Sequence, residues 1–169
     1  MRALFQSERL LFREFTLEDA ELLYELNSDP EVTKYVHEPS TTKENAEDII
    51  RNIILPQYGL KLGRWAVHIK YTEEFIGWAG LKYIAEREII DLGYRFKKEY
   101  WGRGYATEAA KTCISYGFTH LGLERIVAQA HVENTGSLNV IKKCGMKFLK
   151  EDIVDATPVK VYELVNHSK

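Results

Sequence analysis

Apolar and polar positions along the chain sort into short runs of two kinds. Arg9 to Phe15 (RLLFREF) is brief and apolar-rich and predicts a first strand. TLEDAELLYELNSDP takes helical spacing, with Thr16 at the N-cap, Asp19 three residues on, and Pro30 forbidding continuation. TTKENAEDIIRNIILPQY predicts a second helix that stops near Pro56. GRWAVHIK and EFIGWAGLKYI predict two meander strands joined at YTEE, and EIIDLGYRFKK a third that starts near Glu88. From Tyr105 to about Leu121 helical spacing returns, with Ala106, Ala109, Ala110, Cys113, Ile114, Gly117 and Leu121 on one packing face. GLERIVAQAHV follows as a strand and NTGSLNVIKKCG as a short helix ended by Gly145. MKFLKEDIVD and VKVYELV form a last pair of strands.

The resulting order is β-α-α-β-β-β-α-β-α-β-β. It predicts one α+β domain over residues 1–169, with a mixed, mainly antiparallel central sheet flanked by helices. The βαβ unit around the long helix is its expected parallel part. No repeat, low-complexity tract or linker interrupts it.

Composition narrows the function classes. The chain has 169 residues, enough for a substantial core, and is 45% hydrophobic and 28% charged. A net charge of −2 argues against general nucleic-acid binding. No apolar run approaches the ~20 residues of a membrane span. Cys113 and Cys144 lack metal-ligand spacing, and no metal is expected. No export signal precedes them, so a reducing cytoplasm is the expected compartment, and the sequon at Asn166 is read as chance.

The candidate chemistry lies in YWGRGYATEAA, residues 100–110. Gly102 and Gly104 stand immediately before a helix, where unpaired N–H groups and the helix dipole favour an anion such as phosphate. Glycine there permits φ > 0 and close backbone approach; a plain turn is the alternative. A nucleotide P-loop lacks its G-x-x-x-x-G-K-[ST] pattern, and a dinucleotide fingerprint lacks its third glycine, with Thr107 in that place.

The same stretch resembles motif A of the GCN5-related N-acetyltransferases (GNAT), Q/R-x-x-G-x-G/A. Trp101 stands at the Q/R position, Gly104 at the glycine and Ala106 at G/A. Trp101 departs from the broad pattern, but YWGRGYATEA is similar to the RimJ/RimL-type version. SERLLFREFTLEDAELLYEL resembles that branch's opening, and ENTGSLNVIKKCGMKF its closing motif, with Asn134, Ser137, a lysine, Gly145 and Met146 in order.

The resemblance implies acetyl-CoA as co-substrate, its pyrophosphate on the amides of Trp101, Gly102, Arg103, Gly104, Tyr105, Ala106 and Thr107. Arg103 would add a charge-assisted contact. Arg95, Lys97, Lys98, Arg103, Lys111, Lys142 and Lys143 would form a basic rim, although each is equally an ordinary solvated side chain. Tyr94, Arg95 and Phe96 would pair with the pantetheine arm like an added strand, where a splayed sheet leaves backbone groups free. A backbone N–H there would also stabilise the oxyanion. Asn134 and Asn139 would contact pantetheine, with helix capping as Asn134's alternative role.

The general-acid tyrosine that many family members carry four residues after the Ser137 position is Ile141 in this chain, whereas the RimL-type branch uses a serine near the sulfur. The resemblance moves the role to Ser137, with water as its substitute. Asp91 and Glu88 are candidate bases. Three residues apart on a strand they face opposite sides, so only one addresses the cleft. Asp91, in DLGY, matches the branch's acidic position and is preferred, acting through water; a solvated strand residue is its alternative. Glu108 is expected to serve the helix start or a structural hydrogen bond. His37 and His131 receive no role.

The implied reaction is direct attack of a primary amine on the thioester in a ternary complex. A protein or peptide N-terminus is the leading acceptor; polyamines, amino acids and aminoglycosides are alternatives, as is a non-catalytic acyl-CoA-binding domain. Residues 16–62 would shape the acceptor site, with Asp29, Glu31, Glu38 and Glu44 as acidic candidates. Homodimers are common among such folds and one is admitted here.

Overall fold

The computed structural model describes residues 1–36 and 42–168. His37 and Glu38 lie outside them. Eight strands form one sheet: β1 (Phe5–Gln6), β2 (Leu10–Glu14), β3 (Gly63–Ile69), β4 (Phe75–Ile84), β5 (Ile89–Phe96), β6 (Arg125–His131), β7 (Lys147–Val154) and β8 (Thr157–Val165). Their spatial order is β1-β2-β3-β4-β5-β6-β8-β7. Every pairing is antiparallel except β5 with β6. The expected order holds, with the two-residue β1 added at the edge; two residues are too few for a period to register.

Helices cover both faces. On one side α1 (Ala20–Ser28) and α2 (Lys43–Ile49) pack Leu23, Leu26, Ala46 and Ile49 against Phe15, Phe75 and Trp78. On the other, α4 (Tyr105–Thr119) buries the expected face of Ala109, Ala110, Cys113, Ile114 and Gly117. A Cβ on Gly117 would lie 2.7 Å from Leu81 Cδ1, so the small residue sets how closely helix and sheet approach.

The second helix does not stop at Pro56. A π-turn over Ile50–Ile54 leads into α3 (Leu55–Tyr58), and Leu55 N donates to Ile50 O. Proline lacks an N–H to donate, but in the first turn of α3 none is required. The last helix, α5 (Thr135–Lys143), lies between β6 and β7. Asn134 caps it, its Oδ1 accepting from Ser137 N at 3.2 Å.

Candidate active site

The site begins where the sheet comes apart. β5 and β6 pair at only two registers, Asp91 with Val127 and Leu92 with Ala128, while β5 continues on β4 to Phe96. From Gly93 onward one edge of β5 therefore faces a gap, as expected of the splayed segment. Two cavities of about 420 Å³ and about 470 Å³ adjoin this gap. Both are lined by Tyr35, Tyr94, Asn134 and Ser137. The first reaches Trp101 and Ala106 at the glycine loop; the second reaches Asp91, Arg64 and Lys82.

The loop has the anion-binding form that its glycines suggest. Gly102 and Gly104 take φ of 75° and 82°, and Gly104 is the N-cap of α4. Among the described residues no group accepts from the backbone N–H of Gly102 through Thr107, and a Cβ on Gly102 would meet nothing within 4 Å. These open amides at a helix start fit a pyrophosphate. Trp101 corrects the expectation: its amide already donates to Lys98 O at 3.0 Å, and its indole Nε1 donates to Phe96 O at 2.9 Å. Trp101 thus ties the loop to the end of β5, and the next six amides are the ones left open.

Glu108 anchors the loop from below. Its carboxylate accepts from Ser7 Oγ at 2.6 Å, Arg9 N at 2.8 Å and Arg9 Nε at 2.7 Å. Arg9 also donates to Arg103 O and lies over the Tyr105 ring. Burial alone would raise the Glu108 pKa, but the bonds from Ser7 and Arg9 outweigh it and hold the pKa below the ordinary value. This is the structural role the sequence suggested.

Asp91 occupies a different environment. The residue retains some exposed surface, yet Oδ1 is sealed and has no hydrogen-bond partner. Burial raises its pKa to about 7, against the opposing charges of Lys82, Arg64 and Arg87. Glu88, its rival, lies in the turn before β5 at φ 53°, so strand alternation does not apply to it. Tyr94 projects from the other face of β5. Its hydroxyl lies 2.9 Å from both the carbonyl O and Oγ of Ser137.

A family model described as an acetyltransferase (GNAT) domain matches residues 9–147. The uncharacterized N-acetyltransferase p20 of Bacillus licheniformis is 38% identical over 150 residues, 88% of this chain and 83% of that protein. The chain belongs to the GNAT acetyltransferases. A GNAT-family acetyltransferase structure from Bacillus anthracis superposes with a TM-score of 0.81 at 29% identity, covering 95% of this chain and 97% of that one. RimL, a ribosomal-protein α-N-acetyltransferase bound to coenzyme A, has a TM-score of 0.85 over 99% of this chain and 100% of its own, but at 13% identity shares only the fold.

As a GNAT member the chain is an N-acetyltransferase, and acetyl-CoA is the family's acyl donor. Other expected GNAT site residues are distributed unevenly. Arg95 is buried, donates to Asn27 Oδ1 at 2.7 Å and stands over Trp78, so it is no part of a surface rim. Lys98 pairs with Glu31. Asn139 is exposed and lines neither cavity. It lies five residues beyond the cap on a helix that turns it outward. Asn134 lines both cavities while capping α5. Within the 16–62 segment expected to shape the acceptor site, sequence reasoning did not single out Tyr35, which reaches across to Glu133 O and whose ring lies 5.0 Å from His131. No local pattern marks that crossing. Among the described residues no cluster of His, Cys, Asp and Glu could hold a metal, and no helix is long and apolar enough to cross a membrane.

Proposed function

We propose that this GNAT member, of the RimJ/RimL-like branch, acetylates a primary amine by direct attack on acetyl-CoA in a ternary complex. The carrying observation is the junction of the two cavities, one reaching the open amides and the other reaching Asp91. The amides of Gly102 through Thr107 hold the pyrophosphate, and the free edge of β5 at Tyr94 and Phe96 receives the pantetheine arm. Acetyl-CoA, when bound, supplies the acyl group and a thiolate leaving group. Asp91 takes the amine proton through water, and Ser137 donates toward the sulfur. Neither cysteine is placed to be acylated: Cys113 is buried and lines neither cavity, and burial pushes its thiol pKa up.

An α-amine suits this base better than a lysine does, since the reference pKa values are about 8 and about 10.4. A polyamine fits poorly. Among the described residues the second cavity, taken here for the acceptor, carries Arg64, Lys82 and Arg95 against Asp91 and Asp155. The direct test follows free thiol release from acetyl-CoA with peptide N-termini, amino acids, spermidine and an aminoglycoside. Turnover with an α-amine and little with spermidine is expected. No turnover with any amine, alongside intact acetyl-CoA binding by calorimetry, would overturn the enzymatic assignment and favour a non-catalytic acyl-CoA-binding domain.

A further inference from the structure

We propose that Tyr94 is the positioning residue for Ser137, and that the two hydroxyls act as one proton-delivering unit for the departing thiolate. The inference rests on the reading above and adds a residue in a role the sequence did not give it, since Tyr94 was expected to serve through its backbone.

The Tyr94 hydroxyl has one proton and two acceptors at the same 2.9 Å, the carbonyl O and the Oγ of Ser137. A carbonyl can only accept. When Tyr94 donates to that carbonyl, its own oxygen is left to accept from Ser137 Oγ–H, and the serine proton points at the tyrosine. When Tyr94 donates to Oγ instead, the serine proton is released to turn elsewhere. A small rotation of the phenolic O–H therefore switches Ser137 between a proton held inward and a proton offered outward.

The location gives the switch its use. Tyr94 and Ser137 both line both cavities, so the pair stands at the junction the acyl group must occupy. Ile141, at the position where many family members carry a tyrosine, is buried in the core and offers no hydroxyl. A serine hydroxyl alone is a weak acid; a tyrosine donating to Oγ makes the serine O–H a better donor, because successive hydrogen bonds polarise one another. The C–N bond forms, the C–S bond breaks, and the sulfur keeps its electron pair. Ser137 Oγ–H passes to the sulfur, the Tyr94 proton passes to Oγ, and solvent in the cavities returns a proton to Tyr94.

The test uses CoA alone and needs no amine. A thiolate that receives a hydrogen bond is stabilised, so the bound CoA thiol should titrate below free CoA, read from thiolate ultraviolet absorbance across pH. Tyr94→Phe and Ser137→Ala should each return the titration toward the free value, with thermal unfolding confirming that both variants fold. In turnover, Tyr94→Phe should lower kcat about tenfold at unchanged KM, and the double variant should lose no more than Ser137→Ala alone, as expected of a coupled pair. A bound thiol that titrates identically in wild type and Tyr94→Phe, or losses that simply multiply in the double variant, would overturn the proposal. Wild-type inactivity toward every amine would instead overturn the reading beneath it and leave the CoA titration interpretable.

Discussion

Asp91 is a carboxylate kept near neutrality by the fold, and that has two measurable consequences. With a pKa of about 7, its ionised form grows through neutral pH. The ratio kcat/KM should rise up to about pH 7 and flatten above it. Asp91→Asn should lower kcat/KM by about 100-fold and remove that limb, as for loss of a general base. Stability runs the opposite way. The folded pKa is raised above the ordinary 3.8, so the folded state binds the extra proton between these values. Wild type should lose stability as pH rises through that window, by at most about 1.4 kcal/mol per pH unit from this group. Asp91→Asn should be flatter in urea unfolding across the same range. The sequence made Asp91 legible through DLGY, yet could not foresee its sealed Oδ1, which depends on how β4, β5 and β6 close around it. The same limit hid the Tyr94 contact to Ser137, made across 43 residues of chain separation.

Among the elements, the loop before α4 was the most legible, because its glycines are required locally: both φ values lie where other residues are strained. Gly104→Ala should cost about 1 kcal/mol for the left-handed conformation, and its Cβ would sit 3.4 Å from Arg9 Nη2. Calorimetric titration with CoA should show weaker binding, and thermal unfolding a lower Tm. Glu108 gives the contrasting case. Glu108→Gln removes a charged acceptor from three donors and should destabilise by about 2 kcal/mol. Turnover at saturating substrates should stay near wild type at temperatures where the variant is folded. Because its folded pKa is depressed, this contribution is present above the ordinary value near 4.5 and is lost as pH falls through the folded pKa. Less legible was the helix through Pro56. The rule that proline ends helices gave way to a π-turn that lets Pro56 fall in the first turn of α3. Arg95 lost its place on the rim because strand alternation turned its side chain onto Trp78 and Asn27.

Across the whole molecule, element order revealed the fold class, since a long helix between two strands, as α4 between β5 and β6, signals a parallel crossover. Periodicity could not show how short that parallel pairing would be. Arg87, in the turn between β4 and β5, compensates for its brevity. It donates to Gln129 Oε1 on β6 at 2.9 Å and to Asp152 Oδ2 on β7 at 3.3 Å. Arg87→Gln should speed amide exchange in β6, β7 and β8 while leaving β2 to β4 slow, read by hydrogen–deuterium exchange mass spectrometry. Equal acceleration on both sides would show that Arg87 does not hold the halves together.

Two rungs of pairing plus one arginine clip make β5–β6 the narrowest weld inside the sheet, matched in brevity by the two-residue edge strand β1. That line divides the sheet into five strands against three, and the site proposed above lies along it. A ligand lying in that gap would act as a splint, so occupancy should be felt as stiffness in β7 at the far edge of the sheet.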